Sequence, residues 1–201
     1  SSTSTGTSFV QLPVIGNETI RNLFLFTPTA HRSFLLASSD DEIYVVDQGM
    51  NVTMMQDLIL NPGEEESFGS GEYSGRFLLQ DPRHRNRFFT GTSQVVGVEY
   101  TRGRWSEFMR VNRLPDNALL LKKCIDKFDY FWGSSNYMVV RIDIEHPAQA
   151  TAMFMDQSHG LPSNVNNQVY TDPETDEVLL GTSNGFYRYN YFRNTFYRDT
   201  F

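Results

Sequence analysis

Short runs in which apolar and polar residues alternate recur along the chain, and this period of two is typical of strands. The clearest case is GLPSNVNNQVYTDPETDEVLLGTSNGFYRYN, residues 160–190, which reads as a loop, a strand, a polar turn, a second strand, a glycine loop and a third strand. The segment TFYRDT, residues 195–200, adds a further alternating stretch. The pattern predicts a small antiparallel sheet of four strands in this part of the chain.

The same pattern occurs three more times upstream. LLASSDDEIYVVD, FTGTSQVVGVEYT and FWGSSNYMVVRID each place a small residue and two hydroxyl residues between two apolar stretches. The small residues are Ala37, Gly91, Gly133 and Gly181, which stand 54, 42 and 48 residues apart. A second marker, LPDN at 114–117 and LPSN at 161–164, precedes the last two of them by 19 or 20 residues. Four-stranded units at this spacing predict the blades of a β-propeller rather than a helical solenoid.

The predicted fold class is therefore all-β, a β-propeller with four four-stranded blades that is either a small closed ring or part of a larger one. The best helix candidate is DNALLLKKCIDKF at 116–128, but its register against the repeat predicts an innermost strand over 119–125. Residues 1–7 are interpreted as a flexible linker or cloning remnant, and residues 8–201 as the propeller domain. Residues 8–13 are expected to be an outer strand of a preceding or closing blade, and the blades are expected at residues 20–58, 73–112, 118–158 and 165–201.

Composition and charge narrow the classes of function. Aromatic residues make up 14% of the chain, which suits pleated, half-buried surfaces. The formal net charge of −7 argues against a nucleic-acid partner. No apolar run approaches the ~20 residues of a membrane helix, so we expect no membrane span in this chain. The single cysteine, Cys124, is interpreted as a small buried hydrophobe.

Basic residues cluster in PRHRNR, residues 82–87. Three arginines and one histidine in six positions could hold a sulfate, carboxylate or phosphate group. The favoured interpretation is a solvated hairpin tip, and the anion site is the alternative.

The residue types that carry enzyme or metal chemistry form no recognisable motif. The four histidines show no metal-ligand spacing, and no cofactor is expected. A glycosidase needs two carboxylates about 5–9.5 Å apart, and nothing selects a pair among Glu18, Asp40, Asp41 and Asp116. We therefore predict no catalytic residue and no metal site.

Ligands of propellers bind where the loops between second and third strands meet the loops between blades, because function resides in loops on a rigid scaffold. These loops are predicted at 38–42, 93–97, 134–138 and 183–185, joined by 16–19, 114–117 and 160–164. Side chains there that can bond to hydroxyl groups or stack on a ring are the candidate ligand-binding residues: Asp40, Asp41, Gln94, Asn136, Tyr137 and Asn184. Of the two tryptophans, Trp132 is expected in the core, and Trp105, at the start of an outer strand, is expected to be more open.

Residues 160–190 resemble the two-component regulator propeller repeat, found in the periplasmic sensor regions of Bacteroidetes hybrid two-component histidine kinases. The shared features are Gly-Leu-Pro-Ser-Asn, an apolar strand, an Asp, a turn, an aromatic strand, Gly-Thr and a tyrosine-rich strand. The chain departs from the repeat at Leu179, where the family usually has Trp, while Trp132 sits one place later in the third unit.

The resemblance implies a non-catalytic, ligand-sensing periplasmic ectodomain, often one that responds to glycan breakdown products. We expect the ligand to be a glycan or another extracytoplasmic small molecule. It also implies further propeller blades, a membrane span and a cytoplasmic kinase elsewhere in the intact protein, which we expect to be a homodimer. Two alternatives stay open at this point. One is a propeller scaffold for protein–protein interaction in a surface or secretion complex, and the other is a glycan-active lyase or hydrolase.

Overall fold

The computed structural model describes residues 19–59, 76–92, 94–112, 114, 120–163 and 165–200. These form four antiparallel sheets of four strands, each with its strands in chain order. Sheet I contains β1 Asn22–Thr29, β2 Arg32–Ser38, β3 Ile43–Val46 and β4 Val52–Met54. Sheet II contains β5 Leu78–Gln80, β6 Arg87–Thr90, β7 Val95–Thr101 and β8 Arg104–Val111. The predicted all-β fold class is confirmed.

The second half of the chain repeats this plan. Sheet III contains β9 Lys122–Ile125, β10 Tyr130–Ser134, β11 Val139–Asp143 and β12 Ala152–Met155. Sheet IV contains β13 Gln168–Thr171, β14 Val178–Thr182, β15 Gly185–Asn190 and β16 Thr195–Arg198. The described helices are short: α1 Met55–Ile59 and two 3-10 turns, Pro147–Gln149 and Gln157–His159. The strand predicted at 119–125 is observed as β9, and Leu119 itself lies outside the described residues.

The first strands of neighbouring sheets lie side by side and run in the same direction. Near the start of β1, Asn22 Nδ2 donates to the carbonyl of Arg76, just before β5. Near the other end, Arg85 Nε donates to the carbonyl of Thr27. Between sheets III and IV, the amide of Val169 in β13 donates to Ser134 Oγ at the end of β10, at 3.2 Å. The sheets therefore fan out from a shared axis with their first strands innermost, which is the arrangement of propeller blades.

Three apolar cores fill the spaces between successive sheets. Phe26 and Phe88 meet between sheets I and II, and Phe89 and Phe131 meet between sheets II and III. Between sheets III and IV, Trp132 is fully buried, as predicted, and packs edge-on against the ring of Tyr189. Sheets II and III are thus covered on both faces, and the four sheets form an arc.

Trp105 corrects one expectation, because it is buried rather than open. It is 8% exposed and lies within ring-packing distance of Phe26, Phe34, Phe88 and Tyr100. The long β1–β2 hairpin of sheet I supplies two of these rings and covers the start of β8. A stacking surface for a sugar is therefore not formed by this residue. The outer strand predicted at residues 8–13 lies outside the described residues.

Candidate functional site

A cavity of about 340 Å³ opens at the end of the arc where the first strands begin. We call this end the mouth. The loops between second and third strands lie at the same end, since each first strand begins opposite the end of its second strand. Three sheets contribute to the cavity, which is lined by Arg21, Asn22, Asp40, Arg76, Leu120, Leu121 and Lys123.

Asp40 is held between two guanidinium groups. Its Oδ2 lies 2.9 Å from Arg21 Nη2, and its Oδ1 lies 3.2 Å from Arg76 Nε. The hydrogen bond from Arg21 is the main reason why the pKa of the Asp40 carboxyl is below its usual value, and the charges of both arginines add to it. Asp40 therefore stays ionised and serves as an anchor that orients the two arginines.

The loop that carries Asp40 is closed by Ser39. Ser39 Oγ accepts hydrogen bonds from the amides of Asp41, at 3.2 Å, and Glu42, at 2.9 Å. The amide of Ser39 in turn donates to the carbonyl of Glu42. Hydroxyl side chains commonly form such local bonds to the backbone in turns. The bonds fix the path of the loop and hence the position of Asp40 at the mouth.

Lys123 brings an ammonium group into the cavity from β9. Its Nζ donates to the carbonyl of Leu120 at 3.2 Å and lies 4.8 Å from the centre of the Phe77 ring. Burial lowers the pKa of Lys123, and the charge of Lys122 lowers it further. Within the described part of the chain, no carboxylate forms an ion pair with Lys123. Among the described residues, the lining of the cavity therefore includes three cationic side chains and a single carboxylate.

The described lining residues suit binding better than catalysis. They include no histidine or cysteine and only the one carboxylate, Asp40. A general base or nucleophile must be free to reach a reacting atom, whereas both oxygens of Asp40 already contact arginines. The geometry offers positive charge and hydrogen-bond donors to a bound molecule.

Five further candidate residues from the sequence also lie in loops between second and third strands, although none of them lines this cavity. Gln94 Oε1 accepts a hydrogen bond from Arg110, and the carbonyl of Asn136 accepts one from the amide of Asn166. Tyr137 is 77% exposed, and Asp41 and Asn184 are also exposed. Their role in ligand binding stays a prediction.

Sequence reasoning missed Arg21, Arg76 and Lys123. Arg21 stands three residues before Phe24, and Arg76 stands three residues before Leu79. Phe24 and Leu79 each pack towards the following sheet. Arg21 and Arg76 are thus equivalent positions of two successive repeats. An arginine recurring at the same register of the repeat was the available signal, and it is visible only after the strands have been aligned.

A second cavity, of about 370 Å³, lies at the opposite end of the first strands and includes Arg83, Asp126 and Asp176 in its lining. Arg83 forms an ion pair with Asp129 and donates to the carbonyl of Asp126 of the next sheet. Arg87 of the same basic segment pairs with Glu99 at 3.1 Å. These arginines of the 82–87 cluster tie the turn to its neighbours.

The histidines of the turns bond locally. His84, His146 and His159 each place Nδ1 within about 3 Å of the aspartate three residues earlier. Searching the described residues finds no group of three or more histidine, cysteine, aspartate or glutamate side chains that could hold a metal ion. The same residues contain no helix that is long and apolar enough to cross a membrane.

The fold is similar to extracellular domains of bacterial sensors. One belongs to a protein of Bacteroides thetaiotaomicron assigned to the hybrid two-component systems: the TM-score is 0.59 and the identity 13%, over 96% of this chain and 25% of that one. Another, assigned to the one-component systems of the same organism, gives a TM-score of 0.53 and 12% identity over 90% and 21%. This chain thus spans between 21% and 25% of the length of these extracellular domains.

An enzyme shares the fold as well. Virginiamycin B lyase from Staphylococcus aureus gives a TM-score of 0.55 at 8% identity, over 88% of this chain and 54% of the lyase. No family model matches the chain, and no curated protein sequence matches it. Identities at this level show a common fold, and one fold can carry many functions. The resemblance to the sensor repeat predicts a propeller fold, and this chain shares its fold with the extracellular domains of such systems.

Proposed function

We propose that this chain is part of a non-catalytic, ligand-sensing ectodomain of a two-component sensor, located in the periplasm and responding to a glycan. The observation that carries the proposal is the mouth cavity, to which three propeller sheets contribute cationic or polar side chains in a fold shared with extracellular sensor domains. A site built from several blades suits signalling, because a ligand that bridges blades can favour one arrangement of them over another.

In this proposal, residues 8–201 are one propeller domain with blades at 20–58, 73–112, 118–158 and 165–201. Further blades of the parent chain complete the ring, and the intact protein is a homodimer whose membrane span and kinase lie outside this chain. The candidate residues Asp41, Gln94, Asn136, Tyr137 and Asn184 would form the outer rim of the mouth, around the cavity that Asp40 helps to line.

A thermal-shift screen against a panel of neutral and acidic oligosaccharides tests the proposal. A ligand that binds only the folded state stabilises it by about 2.7 kcal/mol at a hundredfold excess over Kd. We expect at least one saccharide to raise the melting temperature without being cleaved. If no saccharide shifts the transition, the glycan-sensing role is wrong and the scaffold alternative gains support. Release of shorter products from the panel would instead indicate a lyase or hydrolase.

A further inference from the structure

We infer that the mouth cavity selects a saccharide bearing an anionic oxygen group, a carboxylate or a sulfate, which Arg21, Arg76 and Lys123 hold. The inference rests on the proposed function and names the chemical class of its ligand. The chain as a whole carries a net charge of −7, yet the described residues that line the cavity include three cations and one carboxylate. A concave site with positive charge raises the local concentration of anionic ligands, even on a protein whose net charge is negative.

Lys123 provides the strongest part of the argument. Its ammonium group is partly buried, and among the described residues it contacts a carbonyl and a ring face rather than a carboxylate. Burial of a cation is costly when no counter-ion is near, and burial lowers the pKa of this lysine, for which the described residues supply no counter-ion. An anionic group entering the cavity would supply the missing charge, so the free energy of binding would include recovery of that cost.

Arg21 and Arg76 offer oriented hydrogen-bond donors to the same anionic group. Asp40 uses one nitrogen of each guanidinium, Nη2 of Arg21 and Nε of Arg76, and both side chains remain about half exposed at 53% and 45%. A guanidinium carries several further N–H donors in a planar fork that matches carboxylate and sulfate oxygens. Asp40 therefore holds the two forks in place while leaving donors for a ligand.

The remaining lining residues favour a saccharide over a free inorganic anion. Leu121 is 49% exposed at the edge of the cavity and offers an apolar surface to the face of a sugar ring. The volume of about 340 Å³ lies within the usual range for sites that enclose small organic ligands. A sulfate ion alone would leave this apolar wall unused.

Isothermal titration calorimetry with four probes tests the inference: digalacturonate, a 6-O-sulfated disaccharide, the neutral digalactose and inorganic sulfate. We expect one of the two acidic disaccharides to bind at least about tenfold more tightly than digalactose. Its affinity should fall as sodium chloride is raised, because salt screens exposed charges. Inorganic sulfate should bind more weakly than that disaccharide, and equal affinity would overturn the saccharide assignment.

The matched variants are Lys123→Met and Lys122→Met. The two lysines are neighbours on β9, but Lys122 is exposed, belongs to the opposite face of the strand and does not line the cavity. Lys123→Met should lose about tenfold or more in affinity for the acidic disaccharide, and Lys122→Met should bind it as the parent protein does. Equal losses in both variants would show that only net charge matters and would overturn the site.

Arg21→Met serves as the second variant if Lys123→Met does not fold, since Arg21 is more than half exposed. It should also lose about tenfold in affinity, and no loss would contradict the inference. Binding of digalactose as tightly as the acidic disaccharides would overturn this inference while leaving the sensing role intact. Failure of every saccharide to bind would instead contradict the proposed function itself.

Discussion

Asp126 is a buried carboxylate that joins two sheets. It is 1% exposed, and its Oδ1 accepts hydrogen bonds from the amides of Phe128 and Tyr130 at 2.9 and 3.1 Å. Its Oδ2 accepts from Trp132 Nε1 at 2.7 Å and from the Tyr191 hydroxyl of sheet IV at 2.8 Å. A buried charge is tolerated when every lone pair is used in this way. The packing of sheets III and IV therefore depends on this side chain.

The substitution Asp126→Asn should destabilise the fold by about 1–3 kcal/mol, because an amide nitrogen would face donors that now reach a carboxylate oxygen. Asp143→Asn is the control: Asp143 also accepts turn amides, from Glu145 and His146, but its side chain is 42% exposed. The Asp143→Asn variant should lose less than about 1 kcal/mol of folding stability. Urea unfolding measures both, and equal losses would contradict the role assigned to Asp126.

Cys124 gives a prediction that depends on pH. The thiol is 7% exposed, as expected for a small buried hydrophobe, and burial raises its pKa from 9.0 to about 12. The thiol therefore ionises at lower pH in the unfolded chain than in the folded one. The stability that the protonated thiol gives the folded state is lost as pH rises from about 9 towards 12. At about pH 8, alkylation should be slow in the native protein and fast in urea. Rapid native-state alkylation would show that the thiol is accessible.

At the scale of elements, Gly160 shows why the loop between sheets III and IV begins with glycine. It follows the 3-10 turn Gln157–His159 with φ of 83°, and a Cβ built there would lie 2.1 Å from the carbonyl oxygen of Phe196 in β16. Two separate constraints meet at this residue: a left-handed backbone and close approach of another strand. Both depend on how the loop packs against sheet IV.

The substitutions Gly160→Ala and Gly103→Ala separate these two constraints. Gly103 has the same φ of 83°, but nothing lies within 4 Å of a Cβ built there. Gly103→Ala should therefore cost only the backbone term, roughly 1–2 kcal/mol. Gly160→Ala should cost about 3 kcal/mol or more, since the strand must also move. Thermal unfolding compares them, and similar melting temperatures would show that the close approach relaxes freely.

The repeat and its four-stranded units could be predicted from the sequence, but the register between repeats could not. In sheets III and IV an aspartate, Asp126 or Asp172, directly follows the first strand. The residue two places before that aspartate pairs with Trp132 in sheet III and with Leu179 in sheet IV. Trp132 and Leu179 are therefore equivalent, and Gly133 is one residue out of step with Gly181. A one-residue shift exchanges the two faces of a strand, and motif matching does not detect it. The apparent displacement of Trp132 from the family pattern disappears.

The register between repeats also explains why the sequence indicated Asp40 as a candidate residue but not Arg21, Arg76 or Lys123. Asp40 could be selected from its loop because acidic residues at a loop tip are conspicuous in a sequence. Arg21 and Arg76 precede strands, where charged residues ordinarily contact solvent, so their convergence on Asp40 depends on how the blades are placed around the axis. Lys122 and Lys123 look alike in the sequence, and only the pairing of β9 shows which of them faces the cavity.

At the scale of the whole molecule, the described arc leaves one face of sheet IV uncovered. On sheet III, the equivalent face is covered by sheet IV, and Arg141 crosses the gap to bond to the hydroxyl of Tyr189 at 2.6 Å. The position equivalent to Arg141 is Arg188, which bonds within its own sheet to Asp172 and Asp199. The aromatic residues of the uncovered face are 40–54% exposed: Tyr170, Phe186 and Tyr197.

An exposed apolar sheet face promotes association, so we expect this chain to self-associate in a concentration-dependent manner. Phe186→Lys should shift the equilibrium towards monomer, because it places a charge on the uncovered face of sheet IV. Phe192→Lys is the control, since Phe192 is 96% exposed but lies in the turn between β15 and β16. Sedimentation velocity over a hundredfold range of concentration measures the effect. A monomer throughout that range, or equal effects of the two variants, would show that the face of sheet IV does not drive assembly.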